Sequence, residues 1–147
     1  MGYTEFGKYL TNYRARNNIV LGEMAQKLSM KTTRLSDIQV GARITDDEFK
    51  MLTEKYTGIG AQLKILYHAI GLDRYDDNRE YDGKYYIYRN YFAVFSTSKD
   101  YYVLKKLEKL GYMKFISNTD AMHYFGVTEK GFELIRDITG LRIIEEE

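Results

Sequence analysis

The 147-residue sequence predicts a mainly α chain with a small α+β part: a four-helix bundle in residues 1–57, then an α/β-hairpin domain over residues 61–147. Three observations carry this expectation. Apolar residues recur at helical spacing through residues 5–56, with polar caps and breaks between them. The tract 85–95, YYIYRNYFAVF, is built from strong β-formers. Residues 112–127 show two alternating segments around the turn residues Asn118, Thr119 and Asp120.

Each element follows in order. Thr4 is a favourable N-cap for a first helix from Glu5 to Asn17, with Phe6, Tyr9, Leu10 and Tyr13 on one face. The pair Asn17–Asn18 ends it. A second helix over residues 22–28 buries Met24, Ala25 and Leu28. A third over residues 32–40 buries Leu35 and Ile38 and stops at Gly41. Thr45 caps a fourth, whose acidic Asp46, Asp47 and Glu48 suit the positive helix end and whose Phe49, Leu52 and Tyr56 face inward. The glycines of TGIG at 57–60 mark the domain boundary. Next comes a helix with Leu63, Leu66, Tyr67 and Ile70 inward, ended by Gly71. The polar tract 73–84, DRYDDNREYDGK, is expected to be an exposed loop. Ser98 caps a helix over residues 99–110 that stops at Gly111, and Thr128 with Glu129 opens a last helix to Ile138. Residues 145–147 are expected to form a frayed tail.

Composition narrows the function classes. A hydrophobic share of 44% and a charged share of 29% describe an ordinary globular protein. No apolar run approaches the ~18 residues of a membrane span, and the first residues lack the apolar stretch of a signal peptide. There is no cysteine, and His68 and His123 have no ligand-like spacing. The expectation is a cytoplasmic protein with no metal and no cofactor. Residues 1–57 carry nine Lys or Arg against seven Asp or Glu, and the remainder thirteen against fourteen. Nucleic-acid binding would therefore rest on a local patch rather than a global field. His68, Arg89, Asn90, Asp100, His123 and Tyr124 are the polar candidates for chemistry, but no paired carboxylates, phosphate loop or nucleophile elbow accompanies them. Catalysis is not expected. His68 is assigned a structural part, and Arg89 with Asn90 the tying of a loop.

The tract EMAQKLSMKTTRLSDIQVGAR, residues 23–43, raises a sharper possibility. Two short helices crossed through Ala25, Leu28, Leu35 and Ile38 would form a helix-turn-helix, with the start of the second helix free to enter a DNA major groove. Lys31, Thr32, Thr33, Arg34, Asp37 and Gln39 are left on outer positions. Arginine can grip guanine through two hydrogen bonds, and threonine can bond bases or meet the thymine methyl. Residues 4–56 resemble the Cro/repressor-type helix-turn-helix family. Phe6, Leu10 and Arg14-x-Arg16, then EMAQKL, then LSDIQVGAR carry the resemblance. It implies base contacts from Thr32, Thr33, Arg34 and Asp37, and backbone contacts from Lys31, Ser36 and Arg43. Three positions depart from that pattern: Ser29 stands at the turn glycine, Lys31 at the usual Ser or Thr cap, and Ala42 at a common lysine.

The order helix 99–110, hairpin 112–127, helix 128–138 is that of the end of a winged-helix domain. Lys105, Lys106, Lys109 and Lys114 could add a second basic strip. Residues 61–136 also resemble a family of small phage-encoded proteins without assigned activity, through His68-Ala69-Ile70-Gly71-Leu72, Arg89-Asn90-Tyr91-Phe92, Leu107, Gly111, Met113 and Val127-Thr128-Glu129-Lys130-Gly131. That resemblance implies a phage or prophage setting. The expected function is a DNA-binding transcriptional regulator on double-stranded DNA, as a homodimer. The second half would dimerise, add a wing contact or bind a protein. The alternative is a protein-binding inhibitor or anti-defence factor, anti-CRISPR-like, with Tyr75, Tyr81, Tyr85, Tyr86 and Tyr88 as its contact surface, since tyrosine is favoured at interfaces.

Overall fold

Periodic apolar residues and left-handed stops produce a mixed α/β chain in the computed structural model, which describes residues 6–57 and 59–146 without the side chains of Lys55 and Tyr56. The expected Thr4 cap, the Tyr56 side chain and Glu147 lie outside the described residues. The elements are α1 (Phe6–Asn17), α2 (Leu21–Lys27), α3 (Thr32–Gln39), α4 (Asp46–Lys50), α5 (Gly60–Ile70), β1 (Glu80–Tyr81), β2 (Lys84–Ile87), β3 (Phe92–Phe95), α6 (Lys99–Lys109), β4 (Met113–Thr119), β5 (Met122–Val127), α7 (Glu129–Thr139) and β6 (Arg142–Glu145). The chain divides into two compact units, Met1–Gly60 with Arg136–Gly140, and Ala61–Ile135 with Leu141–Glu147. No helix among the described residues is long and apolar enough to cross a membrane.

In the first unit, α1, α2 and α3 end alike. After each helix one residue takes a left-handed backbone: Asn18 (φ 54°), Ser29 (φ 53°) and Gly41 (φ 106°). The following amide then reaches back five residues, Ile19 to Arg14, Met30 to Ala25 and Ala42 to Asp37. This closure satisfies carbonyls that a helix end leaves open and turns the chain sharply within two residues. It explains how α2 and α3 stand so close in sequence without a proline. Thr45 forms a full capping box with Glu48 at the start of α4. α4 continues into one wide π-helical turn, Met51–Tyr56, where a regular helix was expected. Phe6, Leu10, Met24, Leu35, Ile38 and Leu52 are fully buried.

The second unit holds two three-stranded sheets. One has the order β1–β2–β6, with β2 antiparallel to β1 and parallel to β6. The other is antiparallel, in the order β3–β5–β4. Four expectations are corrected here. The tract 73–84 is not an open loop, because Asp82 and Gly83, both left-handed, fold β1 onto β2. The β-forming run 85–95 is two strands in different sheets, interrupted at residues 88–91. Glu145 is not frayed: it pairs in register with Ile87, and the Glu146 amide donates to Ile87 O at 3.1 Å. The hairpin turn lies one residue later than expected, at Asp120–Ala121.

The segment 127–131, VTEKG, works as a fold device. The Thr128 hydroxyl donates to Gly111 O at 2.6 Å and accepts the Gly131 amide at 3.2 Å, joining the end of α6 to the start of α7. The Lys130 ammonium donates to Leu110 O at 2.9 Å, an orphan carbonyl at the α6 C-terminus.

Candidate nucleic-acid interface

α3 is held from below and open above. A Cβ at Gly7 of α1 would overlap Ile38 O and stand 2.9 Å from Gln39 Cα, so the α1 and α3 backbones meet without a side chain between them. Beside that crossing Arg14 Nη2 donates to Gln39 Oε1 at 2.7 Å and Arg14 Nη1 to Ile19 O at 3.2 Å. Gln39 is thus turned toward α1, not outward. Leu35 and Ile38 complete the buried face.

On the opposite face Thr32, Thr33, Ser36 and Asp37 are exposed, at the i, i+1, i+4, i+5 spacing of one helix surface. Lys31 and Arg43 are exposed at its margins, and Val40 just past the helix is 83% exposed. Lys31 occupies the cap position in extended conformation, and its side chain makes no capping hydrogen bond. The first-turn amides of α3 therefore remain donors for an outside acceptor, at the positive end of the helix.

Arg34 is engaged within the fold. Its Nε and Nη2 donate to the two carboxylate oxygens of Glu48 at 2.8 and 2.7 Å, and Nη2 also reaches Arg43 O at 2.9 Å. The Nε–Nη2 edge of the guanidinium is thus occupied by a carboxylate of matching planar shape, and Nη1 lies outside this pair. The hydrogen bonds from Arg34, aided by Thr45, hold the Glu48 carboxyl down at about 2 against the burial that opposes them. The Arg34 guanidinium is pushed up by the same contact. Arg34 is thus a positioning residue that ties α3 to the capping box of α4. Of the residues expected to contact bases, Thr32, Thr33 and Asp37 are exposed while Arg34 is engaged within the fold, and the expected backbone contacts Lys31, Ser36 and Arg43 are exposed. Sequence reasoning did not find Gly7, Arg14 or Glu48 as the supports of α3. A glycine inside an otherwise helical pattern was the available signal for the first.

The other candidates are dispersed. His68 Nδ1 lies 2.8 Å from Asp73 Oδ2, and its carbonyl accepts Arg89 Nη2 at 2.7 Å. The Asn90 amide exchanges two hydrogen bonds with the Val127 backbone, at 2.9 and 2.7 Å. Arg89 and Asn90 therefore tie a loop. His123 packs between the rings of Tyr101 and Phe115. Of the five tyrosines expected to form a contact surface, only Tyr81 and Tyr88 are exposed. Tyr85 is 1% exposed, stacked on Tyr75, with its hydroxyl accepting the Asp76 amide at 3.1 Å. It belongs to the core because, with Ile87, it lies on the buried side of the central strand β2, alternating with half-buried Lys84 and Tyr86. Tyr75 and Tyr86 are half-buried.

The basic strip also changes. Lys105 is paired with Glu108 at 2.8 Å. Lys114 pairs in register with Gly126, alternating with Met113 and Phe115, whose side of the sheet also carries His123 and Tyr101 of α6. Lys114 therefore projects from the sheet face away from α6. Lys106 and Lys109 remain exposed on α6.

No family model, curated protein or solved structure matches the chain.

Proposed function

We propose that the protein is a sequence-specific regulator binding double-stranded DNA, of phage or prophage type, that acts by occupying an operator. The carrying observation is α3: its inner face is fixed by the Gly7 crossing and the Arg34–Glu48 pair, while Thr32, Thr33, Ser36 and Asp37 stand free on one exposed face. Read as a helix-turn-helix, α2 lies across the backbone and α3 enters the major groove. Thr32, Thr33 and Asp37 read base edges, while Lys31, Ser36, Arg43 and the uncapped amides hold phosphates. Asp37 accepts from a cytosine amino group. One half-site offers few contacts, so the working form is a homodimer on an inverted repeat. In the second unit, the α6–β4–β5–α7 order with β3 as third strand supports a winged-helix-like reading.

The test is binding of the full chain to the duplex upstream of its own gene against a random duplex, across a salt series. Preference for the upstream duplex should fall about tenfold in Thr33→Ala, the discrimination expected of one good base contact. Equal binding of both duplexes by the parent chain rejects the proposal. Exposed Tyr81 and Tyr88 favour one second reading, an inhibitor or anti-defence factor that binds a protein. Loss of biological activity in Tyr81→Ala with Tyr88→Ala, but not in Thr33→Ala, would select it.

A further inference from the structure

α6 carries a row of cations that the fold does not use. Lys99, Lys106 and Lys109 are exposed, and none of their ammonium groups has an ion pair or hydrogen bond among the described residues. With Tyr102 they fall within about a quarter of the helix circumference, on the side away from buried Leu104 and Leu107. Over ten residues the row is about 15 Å long. The two carboxylates of α6 do not neutralise it: Glu108 is taken by Lys105, and Asp100 lies at the first turn on another side. Tyr102 sits amid the row, 74% exposed, with its ring edge-on to Tyr101.

Helix stability explains part of this. Lys106 and Lys109 lie in the last turn, where a positive charge complements the helix dipole. Lys99 lies in the first turn, where it opposes the dipole, so folding gives no reason for it. Three free ammonium groups in a row beside an open aromatic ring suit a regular polyanion whose phosphates alternate with partly apolar sugars.

We propose that this face of α6 is a second, sequence-independent contact for the phosphate backbone of duplex DNA. Lys99, Lys106 and Lys109 neutralise phosphates, and Tyr102 lies against the sugar edge. The proposal rests on the DNA-binding reading of α3 and explains how a reading head with so few cations gains its grip. With Arg34 committed to Glu48, α3 offers Lys31 and Arg43, a salt slope of about −1.8 per protomer. Three lysines on α6 deepen it to about −4.5.

The experiment uses the full chain and follows fluorescence anisotropy on the upstream and random duplexes at several salt concentrations. Lys99→Ala/Lys106→Ala/Lys109→Ala should weaken binding to both duplexes alike and make the log–log salt slope shallower by about 2.7 per bound protomer, at about 0.9 per lysine. Its thermal melt should match the parent's, and the corresponding triple Lys→Arg variant should retain the slope. An unchanged slope in the Ala variant, or weakening confined to the upstream duplex, overturns the proposal. The two readings fail separately. If Thr33→Ala abolishes upstream preference while the triple Ala variant keeps the parent slope, only the α6 contact falls. If the parent chain binds neither duplex, both fall.

Discussion

Gly7→Ala is expected to destabilise the protein, against the ordinary rule for helices. Alanine in a helix interior is favoured over glycine by about 1 kcal/mol. At position 7 the added methyl overlaps Ile38 O and stands 2.9 and 3.0 Å from the Cα and carbonyl carbon of Gln39. All three atoms are backbone, so no side chain can rotate away. To restore ordinary contact α3 must retreat by roughly 1 Å, an overpacking strain of about 1–3 kcal/mol. The retreat also stretches the 2.7 Å hydrogen bond from Arg14 to Gln39, whose loss in a part-buried setting costs a further 1–3 kcal/mol, roughly. After subtracting the helix gain, the net loss is about 1–5 kcal/mol, centred near 3. Thermal unfolding should show a midpoint lower by roughly 10 °C. Gly22→Ala is the control: a Cβ there meets nothing within 4 Å, so that variant should be neutral or slightly more stable. A Gly7→Ala protein that melts at or above the parent temperature would refute the close crossing and the support it gives α3.

Two further outcomes follow from single contacts. Glu48 carries a depressed folded-state pKa, from 4.5 to about 2, so its contribution is fully present above pH 4.5 and is lost as pH falls toward 2. At full weight that shift is about 3 kcal/mol, but Arg34 is one-third exposed and solvent screening brings it to about 1 kcal/mol. Glu48→Gln should therefore lose about 1 kcal/mol at pH 7 and show a flatter stability profile between pH 4.5 and 2 by urea denaturation; an unaltered profile would remove the pair from the account. Asn90→Ala leaves the Val127 amide and carbonyl without their side-chain partner and should cost about 2 kcal/mol, read as a lower urea midpoint, whereas unchanged stability would mean that loop 88–91 is held by other contacts.

Local signals were the legible ones. Gly41, Gly71 and Gly111 stop their helices with positive φ, and Thr45 and Ser98 cap theirs, because each effect acts within four residues. The α3 surface was also readable, since helical spacing alone puts Thr32, Thr33, Ser36 and Asp37 on one side. The Arg34–Glu48 pair was not legible, because arginine chemistry suits guanine and a carboxylate equally and the meeting with Glu48 depends on the turn after α3. The Asp82-Gly83 hairpin signal was present but stood among polar residues that resembled a loop, with one flanking strand only two residues long. Tyr85 looked like surface among its tyrosine neighbours, and its burial depends on strand pairings that no local pattern reveals. β6 was invisible for the same reason: its partner β2 lies more than fifty residues earlier.

That last pairing bears on the order of folding. β2 cannot gain its parallel neighbour until Arg142–Glu145 has been made, although Lys84–Ile87 emerges far sooner. Closing a loop of that length carries an entropic cost met before any ladder bond rewards it, so the sheet is expected to complete late. During synthesis one edge of β2 stays open and is covered by the last strand. Until β6 docks, that edge is a kinetic exposure, because an open strand edge is a template for pairing with other chains.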